Sequence, residues 1–99
     1  MYANGYISRE AESQIPSFSS HDEARSWFKG IYGDSFQLTD SEIIEGQKCY
    51  FYFLILDESE FLRGQNDLQK NGFMADASKY LGSYQKIEIF EDGRIHIVH

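Results

Sequence analysis

The 99 residues include one cysteine and one proline, no apolar run exceeds eight residues, and no Lys/Arg-rich run occurs anywhere. A single cysteine excludes an internal disulfide and any multi-cysteine zinc site. Cys49 lies inside the apolar run, where a thiol behaves as a small hydrophobe with a raised pKa, so the expectation is a buried, inert side chain. No run approaches the roughly 18 residues of a membrane span. The N-terminus, MYANGYISRE, has no basic region followed by an apolar stretch, so the chain is expected to be cytoplasmic and free of membrane contact. With nine scattered bases and a net charge of −7, it is also unsuited to binding nucleic-acid phosphates or anionic lipid directly.

Catalytic motifs are equally scarce. There is no Gly-rich phosphate loop, H-E-x-x-H, G-x-S-x-G or Cys/His zinc spacing, so no catalytic residue, metal ligand or cofactor is assigned from sequence. His21 falls in the first turn of a helix beside Asp22 and Glu23, where a solvated helix start is the simplest reading. His96 and His99 are an odd number of positions apart on one strand, so they point to opposite faces and cannot hold one ion together without a bend.

What remains is rich in apolar and aromatic residues, at 41% and 16%. That is enough for one core and too little for two, giving a single domain over residues 1–99. Residues 1–19 form an irregular segment packed on it, with Pro16 and the serines opposing a regular element and room for a short strand near Tyr6. Ser20 and Glu23 make a capping box. Ala24, Trp27, Phe28 and Ile31 then follow helical spacing, predicting a helix over 21–32 with Trp27 as its main anchor. Phe36 and Leu38 alternate as a strand. Glu45-Gly46 is a turn, and the run CYFYFLIL (49–56) is a central strand. Pairing Ile44 with Gln47 sets Phe36 opposite Ile55, Leu38 opposite Phe53, and Asp34 opposite Asp57.

Asp57 to Glu60 opens a second helix with Phe61, Leu62, Gln65 and Leu68 inward and Asn71-Gly72 as its stop. Phe73, Met74, Ala77, Tyr80 and Leu81 suggest a third short helix ending at Gly82. The C-terminus reads as a hairpin. A three-residue loop Glu91-Asp92-Gly93, with Gly93 left-handed in a G1 bulge, places Ile87, Ile89, Ile95 and Ile97 on one face, whereas a two-residue turn mixes polar and apolar on both. The order α-β-β-α-α-β-β implies an α+β fold, with an antiparallel sheet of about four strands and two or three helices packed on one face.

Charge is the remaining signal. Seven of sixteen acids lie in two stretches, Asp34, Asp40, Glu42 and Glu45 before the apolar run and Asp57, Glu58 and Glu60 after it, and the other nine match the nine Lys and Arg. The last three are explained by the helix they open. The first four are not, and with Asp57, Glu58, Tyr50 and Tyr52 they form the candidate partner-binding set. For the two tyrosines the competing assignment is core residues with hydroxyls at the rim. The sequence therefore points to a small acidic, non-enzymatic protein-binding module engaging a basic surface, by analogy with toxin-immunity proteins and phage-encoded inhibitors of nucleic-acid-binding enzymes. The alternatives are a carboxylate-based metal-dependent enzyme and a self-associating domain, that is, a homodimer.

Overall fold

The computed structural model describes residues 6–72 and 80–99. Its elements are α1 (Arg9–Glu12), α2 (His21–Tyr32), a 3-10 turn (Gly33–Ser35), β1 (Phe36–Ile44), β2 (Gln47–Ile55), α3 (Glu58–Asn71), β3 (Tyr84–Phe90) and β4 (Ile95–Ile97). The four strands form one antiparallel sheet in the order β1-β2-β3-β4. The fold is therefore α+β, with the apolar run in an interior strand, as its pattern predicts. Of the suggested third helix, Phe73 to Lys79 lie outside the described residues.

Local chemistry sets the element ends. Ser20 caps α2 by accepting the Glu23 N–H at 3.1 Å, while the Glu23 carboxylate takes the Ser19 N–H at 3.0 Å. Asp57 caps α3 by accepting the Glu60 N–H at 3.2 Å, and Gly72, left-handed at φ 75°, closes it. The first hairpin turns at Glu45 and Gly46, both with positive φ (52° and 79°), the signature of a type I′ turn. In the second, Gly93 has φ 91°, and Ile87 pairs with Ile97 and Ile89 with Ile95. This is the bulged turn that the isoleucine pattern selects.

Alternation sorts the sheet into two faces. Tyr50, Tyr52, Leu54, Gln85, Ile87, Ile89 and Ile97 share the face that α2 covers, and the buried cluster there also includes Ile7, Ala24, Phe28 and Phe36. The centre is a ring stack: Phe28 lies 5.0 Å from Phe36, and Phe36 lies 4.3 Å from Tyr52. The anchor of α2 is thus Phe28, fully buried, and not Trp27, which is half-buried and meets Phe28 edge-on. The N-terminal segment is less irregular than expected, since it contains α1. It is tied down by Gln85, whose buried amide accepts the Ile7 N–H at 2.8 Å and donates to the Ile7 carbonyl at 2.9 Å. One side chain thereby imitates a strand pairing.

The other face carries Cys49, Phe51, Phe53, Tyr84, Lys86, Glu88 and Phe90. Here the structure departs from the expectation of helices on one face only. Phe61 of α3 meets Phe53 and Tyr84 edge-on at 5.8 Å each, so α3 touches the side opposite α2. Its inward positions are Phe61 and Gly64, and Leu62 and Leu68 are about half exposed, contrary to the helical-spacing assignment. Tyr80 lies so close over Gly64 that α3 needs a residue without a side chain there.

The β1–β2 register also differs. Ile44 pairs with Gln47 as expected, but a bulge between Leu38 and Asp40 shifts the ladder, so Phe36 faces Leu54 and Leu38 faces Tyr52. The extra residue is Thr39, whose hydroxyl donates to the Phe51 carbonyl at 3.1 Å. The shift seats Phe36 on the α2 face with Tyr52.

Gly93 combines positive φ with backbone contact to Phe18 and Ser20 at the space a Cβ would need, whereas Gly46 has positive φ and open surroundings. Gly93→Ala is expected to cost about 2–4 kcal/mol and Gly46→Ala about 1–2 kcal/mol in urea unfolding. Equal losses would show that the Phe18 contact carries no weight.

Candidate functional site

The expected partner-binding residues fall into four separate places. Asp34, in the 3-10 turn, and Glu58, in the first turn of α3, line a small cavity of about 200 Å³ together with Ser35, Gln37, Ile55 and Leu56. Asp57 beside them is occupied as the α3 cap. The bulge takes Asp34 out of the expected pairing with Asp57. Asp40 and Glu42 are exposed on edge strand β1, opposite Phe51 and Cys49 and so on the face away from α2. Glu45 is at the hairpin tip. A nine-residue strand spans on the order of 30 Å, so these acids trace a line and do not converge on a point.

Tyr52 and Tyr50 belong elsewhere. Tyr52 is fully buried and offers no surface to a partner, which matches the assignment of core residue. Its hydroxyl is 2.6 Å from His21 Nε2, and Tyr50, half-buried, stacks on the His21 ring at 3.6 Å and 13°. Lys48 Nζ is 5.1 Å from the Tyr50 ring centroid. Nδ1 faces Asp22 at 3.4 Å, so in the neutral imidazole that carries its proton on Nδ1 the Tyr52 O–H donates to Nε2. Burial is the largest influence on His21 and holds its pKa below the ordinary 6.5, outweighing Asp22; Arg25 and Lys48 act in the same direction as burial. Burial also raises the Tyr52 phenol.

Position beside Asp22 in a first turn suggested a solvated His21. The missed signal is spatial: Ser20 capping fixes the first turn of α2 over the Tyr50/Tyr52 face, and the His21 N–H donates to the Glu91 carbonyl at 3.1 Å. The arrangement joins α2, β2 and the β3–β4 turn. Its contacts are those of a tether.

The other candidates are occupied. Cys49 is fully buried, and burial followed by Glu88 and Glu42 pushes its thiol pKa up, as expected of an inert cysteine. His96 Nδ1 lies 3.0 Å from Glu88, and His99 Nε2 lies 2.7 Å from Glu12. Among the described residues no group of three or more His, Cys, Asp or Glu is placed to hold a metal ion, and no helix is long and apolar enough to cross a membrane.

Fold and surface together define a small α+β domain with one acidic, exposed sheet edge. No family model, curated protein or solved structure matches the chain.

A folded state that binds a proton at His21 less readily than the unfolded chain is fully stabilised by this group above about pH 6.5 and loses that contribution as pH falls through the lower folded value. The stability of wild type is therefore expected to decline from pH 7 to pH 5 more steeply than that of His21→Gln, measured by urea unfolding at each pH. Separately, Tyr52→Phe is expected to cost about 1–2 kcal/mol by removing the bond to Nε2. Parallel pH curves for wild type and His21→Gln would sink the linkage.

Proposed function

We propose that the protein is a non-enzymatic protein-binding module that engages a basic surface of its partner through the β1 edge, in the manner of an inhibitor or immunity protein. One observation carries this reading. Asp40 and Glu42 on β1 and Glu45 at the hairpin tip are exposed, and among the described residues none of them has an ion-pair partner. Three of the cations on the neighbouring strands and their turn are engaged elsewhere: Lys86 with Glu88 at 3.6 Å, Arg94 with Asp92 at 2.9 Å and over Phe90 at 4.5 Å, and Lys48 over Tyr50. This edge therefore carries negative charge that no cation among the described residues neutralises by an ion pair, and Asp34 adds to it beyond the strand's start.

Exposed carboxylates of this kind contribute chiefly by speeding encounter with a basic partner and rejecting acidic ones, and salt screens them over a Debye length of about 8–10 Å. A nucleic-acid-binding protein, whose own surface is built to attract phosphates, is the natural class of partner. Extended geometry suits it better than a compact pocket would.

The test is capture of a partner from the native host at low salt, comparing wild type with a variant carrying Asp34→Asn, Asp40→Asn, Glu42→Gln and Glu45→Gln. The expected outcome is a basic partner whose association rate drops about tenfold or more, both in the variant and at high salt. Recovery of no basic partner at low salt, or equal rates for the two proteins, would refute the reading.

A further inference from the structure

The β1 edge has a chemistry beyond its charge, and the following inference deepens the protein-binding reading and rests on it. In a two-residue hairpin the closing pair, here Ile44 and Gln47, exchanges both backbone hydrogen bonds, and bonded pairs then alternate along the ladder. Glu42 and Asp40 accordingly bond inward to Cys49 and Phe51, while Ser41 and Ile43 turn their backbone N–H and C=O groups outward. A contact on the strand agrees with this assignment: the Ser41 N–H, pointing away from β2, is taken up by the adjacent Asp40 carboxylate at 2.7 Å. Side chains alternate in the same way. Ser41 and Ile43 lie on the α2 side, with Ile43 68% exposed, and Asp40 and Glu42 lie on the other.

We propose that this edge receives an extended strand of a partner, paired backbone to backbone with Asp40–Ile44, in which Lys or Arg alternates with apolar residues. The pattern follows from the two faces. Residues of the incoming strand opposite Asp40 and Glu42 share their face and should be basic; those opposite Ser41 and Ile43 share the other face and should be apolar. Ile43 supplies an apolar contact that is otherwise left in water.

A second copy of this chain is opposed on the same edge in the registers centred on Ser41 and on Glu42. Laid antiparallel about Ser41, it sets Asp40 against Glu42 on both sides, and like charges directly opposite one another oppose pairing. The Thr39 bulge limits the straight ladder to the five positions from Asp40 onward and adds a second obstacle to long pairing. Asp40 then acts as the selector. In the free protein it occupies the Ser41 N–H that an added strand needs, and a Lys or Arg placed opposite draws the carboxylate away and releases that donor. An acidic or neutral strand has nothing to offer in exchange.

The test uses the full chain and four synthetic peptides: one alternating Lys and Val, the same peptide N-methylated on the amides that would face β1, one of the same composition with the lysines and valines in separate blocks, and one alternating Glu and Val. The expected result is that the Lys/Val peptide binds at least about tenfold more tightly than the other three. It should also slow hydrogen exchange at the Ser41 and Ile43 amides. Equal binding of the N-methylated or block peptide would overturn strand addition while leaving the electrostatic reading intact. Binding of the Glu/Val peptide as tight as that of Lys/Val would overturn both. No binding by the Lys/Val peptide would overturn strand addition, leaving the electrostatic reading to the capture experiment. As a second measurement, the variant combining Asp40→Asn and Glu42→Gln should shift toward dimer in light scattering as concentration rises. A variant that stays monomeric over the whole range would contradict the selector role.

Discussion

The buried hydroxyl of Tyr52 governs more of this molecule than any other single group. Its ring completes the stack that runs from Phe28 of α2 through Phe36 of β1 into β2. Burying each ring of this size contributes about 1.5–3 kcal/mol. The phenolic oxygen, however, cannot go into that interior without a partner, because an unpaired buried polar group costs about 1–3 kcal/mol. His21 answers the requirement, and only the first turn of α2 can place it there. The Ser20 cap starts α2 where this first turn lies over Tyr52, and burial of the imidazole there holds its pKa down. Stacking of Tyr50 on the same imidazole then screens it from water and helps to keep it neutral.

This arrangement also explains why β1 is left available. The stack secures β1 at Phe36, where the strand enters the core, and beyond the Thr39 bulge nothing among the described residues covers it. The strand's burial falls from complete at Phe36 to mostly exposed from Gln37 onward. Its neighbour β2 is protected on both faces, by α2 on one and by Phe61, Lys86 and Glu88 on the other. An exposed strand beside so apolar a neighbour invites aggregation unless something repels other strands. Acids along the edge oppose such pairing, and on the proposed reading the same charge selects a basic strand.

Much of the fold was legible because its determinants are local. The Ser20 and Asp57 caps, the Glu45-Gly46 turn and the Gly93 bulge each depend on a few adjacent residues. At the C-terminal hairpin, four isoleucines could be aligned in only one of the two turn geometries considered. The candidate site was legible in part. The acids after the run resolved into a helix start, and those on β1 stayed exposed. Asp34 and Glu58 came together at one small cavity, but the pairing of Asp34 with Asp57 failed because one bulged residue changed the register. The choice of Trp27 over Phe28 failed for a related reason: adjacent positions on a helix are separated by about 100°, and which of them points at the sheet depends on how the helix crosses it.

The sequence by itself determined the types of the main elements, the faces of the C-terminal hairpin and the two acidic stretches that bracket the apolar run, since these follow from periodicity, turn chemistry and the order of charged residues. Tertiary structure alone decided that α3 lies on the face opposite α2 and that Leu62 and Leu68 stay in water. It also decided that His21 is a tether and that Tyr52 is core. Each of these depends on contacts between residues far apart in the chain, here a histidine and a tyrosine 31 positions apart. No local pattern encodes where two such groups will meet, because the meeting is set by how the helix and sheet pack together to bury their rings.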